Sequence, residues 1–117
     1  MIKRIAVYVS GPIAGMPRKN QDAFNEAAAL LSNAGFSVVN PLEVNPIDSE
    51  LPREECLRND LLAMMTLCSA MVLLPGWEKS RGALLEITVA TQIGIEIYPS
   101  VAAFLSAMND PYPDWAG

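Results

Sequence analysis

The chain contains no histidine. That excludes triads that use imidazole as the base, and it excludes His-ligated metal sites. Proton transfer must then come from carboxylates, tyrosine, lysine or cysteine. Positive charge is also scarce: 8 Lys and Arg stand against 13 Asp and Glu, for a net charge of −5. Gripping a nucleic-acid polymer by its phosphates needs clustered basic residues, so that class is excluded, whereas a single nucleotide is not. No apolar run approaches the ~20 residues of a membrane span. Behind Lys3 and Arg4 the apolar stretch before Gly11-Pro12 is too short for the core of a signal peptide. Cys56 and Cys68 are the only 2 cysteines. On one helix their spacing is about 18 Å at about 1.5 Å per residue, and a disulfide needs Cα atoms within about 7 Å. Reduced thiols suit a cytoplasmic protein. Neither the dinucleotide glycine pattern GxGxxG nor a P-loop is present.

What is there is a regular alternation. The 117 residues suffice for one domain and one modest core, so residues 1–117 are expected to form a single domain with 109–117 as an irregular tail. Apolar, β-branched runs at Ile5–Val9, Phe36–Val39, Ala70–Leu74 and Ile95–Tyr98 predict strands. Helices are predicted from Asn20 (as N-cap) to Asn33, from Pro52 to Cys68, across the segment after Ser80, and from Ser100 to Met108. Strands buried on both faces and alternating with amphipathic helices imply an α/β domain with a doubly wound parallel sheet. In such a sheet the site lies at the carboxyl ends of the strands. Three loops converge there: Ser10–Lys19, Asn40–Leu51 and Pro75–Lys79.

Two acids sit where decorative acids do not. On a helical wheel Glu86 groups with Gly82, Ala83, Ala90 and Ile93, opposite Arg81, Thr88, Thr91 and Gln92. Asp60 groups with Cys56, Leu57, Ala63, Met64 and Leu67, away from Glu55, Arg58 and Thr66. A carboxylate on an apolar face must be paired, perturbed or used. For Glu86 the structural alternative is pairing with a lysine or arginine. For Asp60 it is pairing with Arg53 or Arg58, or capping of a loop. Two carboxylates in one cleft are the minimum equipment for glycosidic chemistry, one as nucleophile and one as acid.

Other residues admit two uses. Tyr8, near the end of the first strand, orients a carboxylate or is a core tyrosine with a satisfied hydroxyl. Gly11 and Gly15 let a ligand approach the backbone. Ser80 caps the Glu86 helix, and free N–H groups there, with Lys79 and Arg81, could hold a phosphate. Trp77 stacks a base or packs beneath its loop. Met64, Met65 and Met71 are expected in the core.

These residues resemble a known family. Tyr8-x-Ser10-Gly11-Pro12 after the first strand, Asp60 on the second helix, and Gly82-Ala83-x-x-Glu86-x-x-x-Ala90 with Gly94 are similar to the nucleoside 2-deoxyribosyltransferase family. The likeness is to its small phage and bacterial branch with an LPGWExSxGAxxE signature, and it covers Ile5 to Ile97. The resemblance implies a flavodoxin-like sheet of four to five strands and a homo-oligomer. It implies cleavage or transfer at the N-glycosidic bond of 2′-deoxynucleosides or their 5′-monophosphates, without a cofactor or metal. By resemblance Glu86 is the nucleophile, Tyr8 positions it, and Asp60 protonates the leaving base. Ser80 takes a position that contacts phosphate in nucleotide-using relatives. Ser10, Gly11, Pro12, Gly15, Trp77 and Gly82 complete the expected substrate site. One position departs: where Cys-Asp is expected at the start of the third strand, this chain has Cys68-Ser69. The alternative function is a non-catalytic nucleotide-binding or sensor module of the same fold.

Overall fold

The computed structural model describes residues 6–46 and 50–109. Four strands, β1 (Ala6–Ser10), β2 (Ser37–Val39), β3 (Cys68–Leu73) and β4 (Glu96–Tyr98), form one sheet in the order β2-β1-β3-β4. Every pairing is parallel. The helices are α1 (Gln21–Asn33), α2 (Pro41–Val44), α3 (Arg53–Leu67), α4 (Arg81–Gln92) and α5 (Val101–Met108). This is the flavodoxin-like arrangement, in which the strand order reverses between β1 and β3.

The side-chain alternation of β1 divides the core. Val7 and Val9 join Phe24, Ala27 and Leu31 of α1 and Phe104 of α5 on one face. Ala6 and Tyr8 join Met64 of α3 and Ala90 of α4 on the other. All five residues of β1 are buried, so the strand is the centre of both layers. Its last residue, Ser10, is wholly enclosed although polar, which already marks that end of the strand as unusual.

The structure corrects several expectations. Phe36 lies outside β2 and stacks edge-on against Phe104, with ring centroids 4.9 Å apart. The loop expected over 40–51 contains α2, a single turn opened by Pro41 and capped by Asn40, whose side chain accepts from Leu42 N. Asn20 precedes α1 in a left-handed conformation and does not cap it; its amide donates instead to the Pro12 carbonyl at 3.0 Å. Leu67, Met65 and Ile93 were expected on buried faces and are exposed, with Met65 the least so at 40%. Leu67 and Ile93 close or follow their helices, past the last turn that rests on the sheet. The tail from residue 110 onward lies outside the described residues.

Gly11 is explained by packing. A Cβ there would meet Leu74 Cβ at 2.7 Å. Leu74 cannot retreat, because its N–H donates to the Ser10 carbonyl at 2.8 Å. Gly11→Ala is therefore expected to destabilise the fold by about 1–3 kcal/mol, read as a lower denaturation midpoint at unchanged slope. A midpoint equal to wild type would show that the β1 and β3 ends have slack the geometry denies.

Candidate active site

The site is assembled at the carboxyl ends of β1 and β3, the point where the strand order reverses. The two loops that leave these strands touch: Pro12 Cγ lies 3.3 Å from where a Cβ on Gly76 would stand. Gly76 holds φ +89, a conformation open to glycine, and this lets the chain turn from β3 toward α4. Ser80 then caps α4, its Oγ accepting from Ala83 N at 3.1 Å. Capping thus accounts for Ser80. The helix start fixes the phase of α4, and that phase turns Ala83, Glu86 and Ala90 inward.

Glu86 is only 5% exposed. Tyr8 Oη donates to its Oε2 at 2.5 Å, and Ser10 Oγ donates to its Oε1 at 2.8 Å. Both donors stand on the same face of β1, two residues apart, as strand alternation requires. Burial raises the Glu86 pKa to about 7, and the bonds from Tyr8 and Ser10 pull it back. The Tyr8 hydroxyl is held well above its ordinary value, first by burial and then by the charges of Glu86 and Asp60, so it stays a donor. Each Glu86 oxygen keeps a further lone pair for another partner.

Asp60 is also 5% exposed. Burial and, next, the Glu86 charge raise its pKa to about 8, while a bond from Asn45 opposes the rise. The two acids therefore share one electrostatic environment, in which burial raises both. The partners of Glu86 are hydroxyls and the partner of Asp60 is an amide. The ion pairs considered for them, with Arg53 and Arg58 for Asp60, are absent among the described residues. The short distance from Asn45 Nδ2 to Asp60 Oδ1, 2.8 Å, identifies a residue that sequence reasoning missed. Its signal was faint, a lone Asn before Pro46 in a polar loop.

Asp60 opens on a small cavity of about 100 Å³, whose walls include Ile13, Leu42, Leu51, Lys19 and Asn45. Lys19 belongs to an unusual turn. Arg18, Lys19 and Asn20 all adopt left-handed backbone, at φ 51, 54 and 61. Such conformations cost non-glycine residues about 1–2 kcal/mol each. Pro17 and the bond from Asn20 to Pro12 hold the turn against the first loop.

The other expected residues fall into two groups. Pro12 and Gly76 join the loops, and Gly15, at φ +78, faces open space. Gly82 meets Leu57 of α3, where a Cβ would lie 3.7 Å from Leu57 Cδ2, so it brings α3 and α4 together. Trp77 is half-buried against the core layer that contains Tyr8 and Met64, which is the packing alternative. Ser69 stands apart. The register passes from Ala6↔Cys68 to Val7↔Ala70, so Ser69 is the bulged residue, exposed at the amino edge of the sheet. It precedes Leu73, the partner of Ser10, by about 13 Å of strand at about 3.3 Å per residue. A larger cavity of about 490 Å³ lies at that same remote edge, between Met65, Ser69 and Ile93.

Cys68 is buried and its thiol is pushed up to about 12 by burial, so it is inert at neutral pH. No group of three His, Cys, Asp or Glu among the described residues is arranged to hold a metal ion. No described helix is long and apolar enough to cross a membrane. A scan against protein-family models matches residues 5–99 to one family, described as Domain of unknown function (DUF4406). A search of curated proteins returns no match.

Proposed function

The chain belongs to the DUF4406 family, and from the site it carries we propose that it cleaves or transfers at the N-glycosidic bond of 2′-deoxynucleosides or their 5′-monophosphates. One observation carries the reading: a buried glutamate, gripped by two hydroxyls, stands beside a second buried acid whose ionisation the Glu86 charge opposes. The two hydroxyl donors favour the carboxylate of Glu86, and the Glu86 charge favours the protonated form of Asp60. That is the division of roles a retaining mechanism needs.

A Glu86 oxygen attacks the anomeric carbon. The C–N bond breaks, its electron pair leaves with the base, and the Asp60 proton neutralises the base. The product is a glycosyl ester on Glu86. Water or a second base then attacks the same carbon, gives its proton to the Asp60 carboxylate, and releases Glu86 with net retention. Tyr8 and Ser10 hold the carboxylate in place for both steps. No cofactor enters. Incubation with deoxynucleosides and deoxynucleoside monophosphates, with and without an added base, tests this. Free base or an exchanged nucleoside is expected, and binding without turnover would favour the sensor alternative.

The reading includes a homo-oligomer. Leu62 of α3 and Leu84 and Leu85 of α4 are exposed on the outer side of the α3/α4 layer. Thr66, Thr88 and Thr91 donate their hydroxyls back to the carbonyls of Leu62, Leu84 and Ile87, which engages their polar hydrogens within the helices. Beyond Arg81 the solvent side of α4 carries no charge. In an acidic chain this is the face where two copies meet without like-charge repulsion. Leu62→Glu combined with Leu85→Glu is expected to convert the assembly to monomers in light scattering, and an unchanged mass would refute this face.

A further inference from the structure

Asn45 follows α2 with extended backbone and is 9% exposed. Its Nδ2 donates to Asp60 Oδ1 at 2.8 Å and to the Cys56 carbonyl at 3.1 Å. Its Oδ1 accepts from Asn59 Nδ2 at 3.0 Å. Turned over, the amide would set its oxygen against the Cys56 carbonyl and its NH₂ against that of Asn59. The Cys56 carbonyl, which can only accept, therefore fixes the orientation, with N–H facing Asp60. An oxygen that accepts an N–H is the poorer place for the carboxyl proton.

We propose that Asn45 is a positioning residue for Asp60: it holds Oδ1 so that the acid's proton resides on Oδ2, the oxygen left for the departing base. This rests on the reading of Asp60 as general acid. The small cavity beside Asp60 is lined by Asn45 as well, so the holding residue and the acid share the pocket that the base enters. The other groups facing Asp60 are Glu86 from α4, Tyr8 from β1, Lys19 from the loop after β1, and Cys56 one turn earlier on α3. Glu86 disfavours ionisation of Asp60, whereas the Asn45 N–H favours it. Removing Asn45 thus has a sign: Asp60 becomes a weaker acid and loses its aim.

The test is Asn45→Ala in the full chain. Turnover is expected to fall by about 10- to 100-fold from misplacement of the acid, with little change in KM, and the alkaline limb of the pH profile is expected to move upward. Carbon-13 carboxyl NMR without substrate is expected to show Asp60 titrating above its value of about 8. The near-isosteric Asn45→Asp carries the same test if the alanine variant does not fold, and it is expected to raise Asp60 further. A folded variant that leaves both the limb and the titration unchanged overturns the proposal. If wild type releases no base from any nucleoside, the proposed activity fails, and the NMR titration still decides whether Asn45 governs Asp60.

Discussion

Glu86→Ala is expected to abolish base release, by about 10⁴-fold or more, the scale of loss when a covalent nucleophile is removed. Glu86→Gln is expected to lose as much, because an amide keeps the shape, with one hydroxyl turned to accept from its NH₂, but cannot form the ester. The second variant separates chemistry from folding. The sign for stability is opposite. The folded-state pKa of Glu86, about 7, lies above its ordinary 4.5. A raised acid contributes stability that is fully present below the unfolded value and is lost as pH rises through the folded one. Wild type therefore loses the Glu86 contribution across that window, and Glu86→Gln loses only what the raised Asp60 contributes. Its melting temperature is expected to exceed that of wild type above pH 7 and to match it near pH 4. Measured base release by mass spectrometry and thermal melts at both ends of that range decide the matter. A Glu86→Gln protein that still turns over substrate would remove Glu86 from the mechanism.

The second large effect is at Asp60. Asp60→Asn is expected to cost about 10²–10⁴-fold in kcat/KM, the usual contribution of a positioned general acid. The wild-type profile is expected to be a narrow bell, rising through about 7 as Glu86 ionises and falling through about 8 as Asp60 loses its proton. Because the acids are coupled, each limb belongs to the pair. Burial and the Glu86 charge are the two causes of the higher value, so removing the charge by Glu86→Gln is expected to lower the Asp60 titration. Asp60→Asn is expected to flatten the alkaline limb and keep the acid one. A variant that retains both limbs would assign the acid elsewhere. Substrates whose base is already a good leaving group are expected to lose the least.

The burial of the three side chains that the proposal uses was legible in the chain for a common reason. Tyr8, Asp60 and Glu86 each lie on a regular element, where period fixes direction. An acid at a core phase of a helix is conspicuous because a surface acid has no cause to be there. Ser10 was visible only as part of a loop motif, and its bond to Glu86 follows from ending β1 one residue later than the apolar run suggests. Asn45 left only a faint trace. It lies between a one-turn helix and a proline, where no period operates, and only the approach of α3 gives its amide partners. Leu67 and Ile93 failed in the other direction. The wheel assigns them a core direction, but Leu67 is the last residue of α3 and Ile93 follows α4, and both are exposed.

The sequence by itself determined the alternation of elements, the parallel sheet, the edge at which the loops gather, and the two acids turned inward. These follow from hydrophobic period, caps and breakers, which act over a few residues. Tertiary structure alone decided that the inward acids meet hydroxyls and an amide in place of lysine or arginine. It also decided that Gly11 and Gly82 serve packing, and that Ser69 is bulged out of the ladder. Those outcomes depend on strand order, register and helix approach, which join residues up to 78 positions apart and leave no periodic trace in the chain.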